Sequence, residues 1–241
     1  MPAVAFAYHD VGPRRRGDRY TVEPELFERQ LDAMREASAP VTLTFDDGGV
    51  SALDVVAPIL AARGLHGSFF VITNAIGRAG TISAAGIREL RAAGHTVGSH
   101  SHTHPYDPFI RDLPDDRLDD EWRRSKVILE DILGEEVDSL SVPYGYYSAR
   151  VGRSALAAGY RVLYVSDPWT EPRPLAGDST LRGRFSVIAD TPPERIAAIC
   201  RLDRATLLRE AASWRARKLA QRTLGRVYLS LRRSLLARRH A

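Results

Sequence analysis

Two short stretches hold most of the residue types that can do chemistry. Residues 44–48 read Thr-Phe-Asp-Asp-Gly, and residues 98–105 read Gly-Ser-His-Ser-His-Thr-His-Pro. Adjacent carboxylates where a strand ends can divide labour, one binding a cation while the other stays available as a base. The same five residues also suit a plain turn, because Asp caps helices and Gly supplies a positive φ. Three of the chain's seven histidines fall within five residues, at His100, His102 and His104, which packing explains poorly. Neutral imidazole is the commonest metal ligand, and two histidines with one carboxylate make a recurring set for ions that keep coordination positions open. Spacing permits His100 with His104 if the segment turns helically, or His100 with His102 if it stays extended.

For these groups to meet, they must sit at the ends of neighbouring strands. Seven apolar runs qualify as strands, at residues 3–8, 41–45, 67–72, 96–99, 139–142, 161–166 and 185–188. Between most of them, apolar residues recur three or four apart, as in Leu26, Phe27, Leu31 and Met34, or Leu118, Trp122, Val127 and Leu133. Nearly continuous apolar strands alternating with helices imply an α/β protein with a mostly parallel sheet. His9, Asp46, Asp47, His100, Tyr144 and Asp167 each follow a run, at C-terminal strand ends. Polar groups after so many strands favour a (β/α) barrel of about seven strands over an open sheet, which gathers ligands only near a switch point.

The chain has 241 residues, 44% hydrophobic and 27% charged, which suits one large globular domain and excludes wholesale disorder. A single cysteine, Cys200, cannot form an intrachain disulfide and favours a reducing compartment. The opening residues lack the basic and apolar regions of a secretory signal, and no run of 18 apolar residues occurs, so the expected location is cytoplasmic. Charge divides the chain unevenly. Residues 201–241 hold 12 Arg or Lys against 2 Asp or Glu, while the first 200 residues are net acidic. In the tail, Leu224, Val227, Tyr228, Leu231 and Leu235 recur at helical spacing opposite Arg215, Arg222, Arg226 and Arg233. The expected organisation is a barrel over residues 1–200 and a basic amphipathic helix over 201–241. That helix would lie on an anionic membrane surface, with docking on the barrel or an oligomer contact as the competing reading. Nucleic acid is disfavoured because no reading motif accompanies the charge.

The Thr-Phe-Asp-Asp-Gly stretch, a His-Ser-x-x-His element about fifty residues later and a Pro-Tyr-Gly element at 143–145 together resemble the polysaccharide deacetylase family, carbohydrate esterase family four. The resemblance covers roughly residues 3–195 and implies a distorted (β/α) barrel. It implies that Asp46 is the catalytic base and that Asp47, His100 and His104 hold a divalent metal, zinc being the expected ion, with His102 outside. It further implies that the backbone N–H of Tyr144 stabilises the oxyanion. Two features depart from the usual pattern. The family's third motif carries an Arg two residues before the Pro, where this chain has Ser141, and no histidine suited to proton donation follows His104. Both departures resemble a permuted branch that includes the poly-N-acetylglucosamine deacetylases and opens on a Tyr-His-Asp-Val-like strand, matched here by Tyr8, His9, Asp10 and Val11. On that resemblance Arg184, or alternatively Arg182, partners the base, and His9 becomes the candidate general acid.

The activity so implied is metal-dependent removal of acetyl groups from N-acetylated amino sugars, in a glycan or a lipid-linked glycan precursor. A non-catalytic carbohydrate-binding barrel and a metal-dependent phosphoesterase are the competing classes, since Asp and His ligands serve phosphate equally well. Acetate release set beside phosphate release separates them.

Overall fold

A computed structural model describes residues 2–106 and 109–219. All seven expected runs are strands of one sheet: β1 (Val4–Tyr8), β4 (Val41–Phe45), β5 (Gly67–Val71), β6 (Thr96–Ser99), β7 (Ser139–Ser141), β8 (Val162–Tyr164) and β11 (Phe185–Ser186). Two short strands that the sequence reading did not separate, β9 (Arg173–Pro174) and β10 (Thr180–Arg182), complete a nine-stranded sheet in the order β11-β1-β4-β5-β6-β7-β8-β10-β9. A separate small pair is formed by β2 (Asp10–Val11) and β3 (Thr21–Val22). Every pairing in the large sheet is parallel except β9 on β10.

The sheet curls, and the stretch 180–186 spans its seam. Thr180–Arg182 pairs with Val162–Tyr164 on one side, whereas Phe185 and Ser186 pair with Phe6 and Ala7 on the other. Only Gly183 and Arg184 separate the two halves, so one bent run of chain supplies the edge strand β11 and also β10, one strand in from the opposite edge. Gly183 is needed at the bend because a Cβ there would come 2.4 Å from the Asp167 carbonyl oxygen and 2.8 Å from the Trp169 ring.

Strand alternation sorts side chains to two sides. Phe6, Tyr8 and Phe45 are buried, with the Tyr8 hydroxyl donating to Gln30 of the first helix, α1 (Pro24–Ala33). The opposite parity carries Thr44 and Asp46 to the Arg184 side chain. The surrounding helices are α1, α2 (Ala57–Ala61), α3 (Ala84–Ala92), α4 (Asp115–Leu133), α5 (Ala149–Ala157) and α6 (Pro193–Cys200). A wide π-type turn over Ala52–Val56 leads into α2, where Pro58 has no N–H to return to the carbonyl of Asp54. On α4 the buried row is Leu118, Trp122 and Leu129, with polar Glu121 and Ser125 among it, while Val127 is 55% exposed. The expectation that Val127 belongs to the core-facing row is therefore corrected, because the face is set by tertiary contacts of Glu121 and Ser125.

A further helix, α7, runs over residues 204–219. Leu202 and Leu207 pack against the barrel core, and Glu210 accepts two hydrogen bonds from Arg195 of α6, at 2.6 and 2.8 Å. The tail positions Leu224, Val227, Tyr228, Leu231 and Leu235, with Arg222, Arg226 and Arg233, lie outside the described residues. Among the described residues no helix is long and apolar enough to cross a membrane.

Candidate active site and metal centre

The loops after β1, β4, β6, β7, β8 and β10 converge at the C-terminal mouth of the barrel. Leaving β4, Asp46 still continues the sheet, its N–H donating to the Tyr8 carbonyl at 3.0 Å. The chain then breaks sharply at Asp47, whose φ of 76° is left-handed, and turns its carboxylate away from that of Asp46. Asp46 is 5% exposed, whereas the Asp47 side chain is 45% exposed. One carboxylate is thus shielded and the other presented.

Arg184 explains why Asp46 can be charged where it is. Its guanidinium grips both carboxylate oxygens, Nη1 to Oδ1 at 2.7 Å and Nη2 to Oδ2 at 2.9 Å, and also donates to Thr44 and Ser141 hydroxyls at 2.9 and 2.8 Å. Burial by itself would raise the Asp46 pKa, but the charge of Arg184, aided by His100 and the Arg184 hydrogen bonds, outweighs it and holds the carboxyl well below the usual carboxylate range. Between the two arginines left open by the sequence, geometry selects Arg184. Arg182 leaves its Nε buried without a hydrogen-bond partner and makes no bond to Asp46.

Ser141 is the functional residue that sequence reading passed over. It stands where the third motif of the family places its Arg, and its hydroxyl donates to Asp46 Oδ2 at 3.1 Å. Its carbonyl also accepts from His100 Nδ1 at 2.8 Å. A small side chain at 141 leaves room for the Arg184 guanidinium, which arrives from the stretch between β10 and β11 and donates to the Ser141 hydroxyl. The absence of an Arg at 141 was the available signal.

The Nδ1–H bond to Ser141 fixes the His100 tautomer and leaves Nε2 with a lone pair. That Nε2 lies 3.4 Å from Asp47 Oδ1, and His104 Nε2 lies 3.9 Å from the same oxygen. Ligand atoms of Asp47, His100 and His104 all fall within 4.8 Å of one another. Donors about 2.0–2.2 Å from one shared ion would show this spacing, and the set is one carboxylate and two imidazoles, so the three residues fit a divalent cation. Burial, then repulsion from His100, pushes the His104 pKa down to about 4, which keeps that imidazole in the neutral form a metal requires.

The loop reaches this arrangement through strain. Among the described residues five non-glycine positions have positive φ, and four belong to the site: Asp47, Ser101, His104 and Tyr144. Side chains hold it in place. Ser101 Oγ accepts from the His104 N–H at 2.9 Å, and buried Glu121 accepts from the N–H groups of His102 and Thr103 at 3.0 and 2.8 Å. His102 itself turns to Thr73, 2.9 Å from its hydroxyl, so His100 pairs with His104 as the turned spacing permits.

Tyr144 follows β7 at φ 57° and ψ 5°, its ring 4.5 Å from that of His104. Gly145 is required next to it, since a Cβ there would meet the Ser166 backbone nitrogen at 2.9 Å. His9 leaves β1 at the same mouth. Its ring is 4.7 Å from Tyr20, its Nδ1 is buried without a hydrogen-bond partner, and charge on it is felt at both Asp46 and His104. Among the aromatic residues near these strand ends, Tyr146 is buried against Phe109, and Trp169 carries the Arg173 guanidinium 3.7 Å over its ring.

A curled, mostly parallel barrel with a clamped carboxylate beside an Asp-His-His cluster at its mouth has the layout of a (β/α)-barrel hydrolase. Residues 33–163 match the family profile described as polysaccharide deacetylase, which is more than half of the chain, and the chain belongs to the polysaccharide deacetylase family. Among solved structures, IcaB from Ammonifex degensii is similar with a TM-score of 0.71 and 24% identity, over 83% of this chain and 95% of that one. BC0361, a polysaccharide deacetylase from Bacillus cereus, reaches the same TM-score at 20% identity, over 83% and 69% of the two chains. These likenesses are of fold. YxkH of Bacillus subtilis is 23% identical over 133 residues, 55% of this chain and 47% of YxkH, so the chain spans about half the length of that curated relative.

Proposed function

We propose that the protein is a divalent-metal-dependent deacetylase of N-acetylated amino sugars in a glycan or lipid-linked glycan precursor. The observation that carries this reading is the juxtaposition of the Asp47–His100–His104 donors with a separate carboxylate, Asp46, held ionised by Arg184. A bound divalent cation, with zinc the expected ion, supplies a Lewis acid that polarises the acetyl carbonyl and acidifies water. Asp46 accepts the proton of the attacking water, and Arg184 and Ser141 keep its carboxylate oriented while it does so. The Tyr144 N–H donates to the carbonyl oxygen as charge develops there. His9 protonates the departing sugar nitrogen, giving acetate and a free amine.

Acetate release from N-acetylglucosamine oligomers by metal-loaded protein, set beside phosphate release from simple esters, tests the reading. Phosphate release with no acetate would overturn it. His9→Ala is expected to lower kcat by about 10²- to 10⁴-fold with metal content unchanged, the range for general acid catalysis. Loss of metal together with activity would instead make His9 a ligand.

A further inference from the structure

The helix α7 reaches past the outer surface of the barrel to its mouth. Trp214 donates its indole N–H to Asp167 Oδ1, and Lys218 pairs with the same oxygen, just beyond the end of β8. With the Arg195–Glu210 pair one turn earlier, the helix is pinned at two points across the β8–β11 side of the mouth. Beneath it lies a cavity of about 220 Å³, walled by Ser166, Arg184 and Ser186 of the barrel, Arg195 of α6, and Trp214 and Arg217 of α7.

Most of the charge in this recess is already committed. Arg184 is bound to Asp46 and Arg195 to Glu210, while Arg217 has no carboxylate partner among the described residues and lies 5.3 Å from the Trp214 ring centre. What the recess offers a ligand is an indole face, one uncommitted guanidinium and the serine hydroxyls. An aromatic face for C–H groups beside fixed donors for hydroxyls is the chemistry that holds a pyranose ring. The volume falls below the ~300–1,000 Å³ of pockets for drug-sized ligands, so it takes one ring. Ser166 of the recess lies against Gly145 of the Pro-Tyr-Gly element, so a ring seated there adjoins the candidate active site.

We propose that this recess is the subsite for the sugar unit next to the one that loses its acetyl group, with Trp214 and Arg217 as its recognising side chains. This rests on the deacetylase reading. It also makes α7, on the basic tail, a wall of the substrate cleft.

The test uses the full chain loaded with zinc and compares kcat/KM on an N-acetylglucosamine trisaccharide with kcat/KM on the monosaccharide. The wild type should prefer the trisaccharide, and Trp214→Ala should cut that ratio about tenfold, chiefly through KM. Trp214→Phe, which keeps a ring but cannot donate to Asp167, should retain most of the ratio, an outcome that a purely anchoring role would not give. Arg217 is exposed and outside any ion pair among the described residues, so Arg217→Ala should fold normally and cut the ratio about threefold. Calorimetric titration of the trisaccharide into Asp46→Asn protein separates binding from turnover. An unchanged ratio in both alanine variants overturns the subsite. Trisaccharide binding that Trp214→Ala abolishes, in a protein that releases no acetate from any N-acetyl sugar, supports the subsite and overturns the deacetylase reading instead.

Discussion

Replacing Arg184 by Met should show how much of the site's order rests on a single guanidinium. The side chain is fully buried and makes four hydrogen bonds to Thr44, Asp46 and Ser141. Unit charges about 4 Å apart interact by roughly 4 kcal/mol at an effective dielectric of 20, and breaking a buried pair typically costs about 3–5 kcal/mol because the other charge is left unpaired. For a domain of this size that is a fall in Tm on the order of 10 °C. The sign of the pH dependence follows from burial. In the wild type the Asp46 pKa is depressed, so its stabilisation is present at neutral pH and is lost only as the pH falls below the unfolded value and through the lower folded one. In the variant, burial acts without opposition from Arg184, the folded pKa rises above the unfolded one, and acid relieves the penalty. The Tm difference between metal-free wild type and variant should therefore be widest at pH 7 and should narrow by pH 4.5. Arg184→Lys should recover part of the stability but little of the turnover, since an ammonium cannot make the two-pronged contact. A Tm within about 2 °C of wild type, or a gap that does not change with pH, would refute the reasoning.

Glu121→Ala removes the acceptor that pins the His102 and Thr103 N–H groups, and zinc affinity should fall about 10- to 100-fold by competition titration, as for other groups that orient ligands. His95 is 1% exposed, its Nδ1 accepts from the Gly67 N–H at 3.2 Å, and burial, then His66, lowers its pKa. Urea-unfolding stability of metal-free protein should thus decline as pH falls below about 6.5, and His95→Gln should reduce that slope by up to one proton. Ending the chain after Leu219 removes six arginines and no acidic residue, and should weaken binding to vesicles containing anionic lipid by up to about 1 kcal/mol per arginine while leaving α7 docked. Equal vesicle binding by both forms would reject a membrane role for the tail. Trp122→Ala empties the fully buried centre of α4 and should cost about 3–5 kcal/mol by denaturant titration.

The seven strands were legible because each is a short apolar run, and the Asp and His positions because their residue types are hard to account for by packing. Ion-pair partners were legible only as alternatives. Arg182 and Arg184 share a strand parity in the sequence, and the bend at Gly183 that sends Arg184 to Asp46 depends on Asp167 and Trp169 nearby. Glu121 looks like an ordinary solvent-facing helix charge, since its partners are backbone N–H groups with no sequence signature. β9 and β10 are too short to show periodicity. The docking of α7 depends on Leu207, Glu210 and Trp214, whereas the charge pattern drew attention to the arginines beyond them.

The seam at residues 180–186 also sets an order of events. The buried carboxylate sits at position 46 and the guanidinium that lets it stay ionised lies 138 residues further on, on the stretch that links β10 to the edge strand β11. During synthesis, Asp47, His100 and His104 are all present long before that stretch leaves the ribosome. A nascent chain therefore holds the three candidate metal donors while Asp46 is still without its counter-charge, and the two come together only when residues 180–186 have joined the sheet. The clamp on Asp46 is in this sense among the last contacts of the barrel that the chain can make, and the docking of α7, further along the sequence, comes after it.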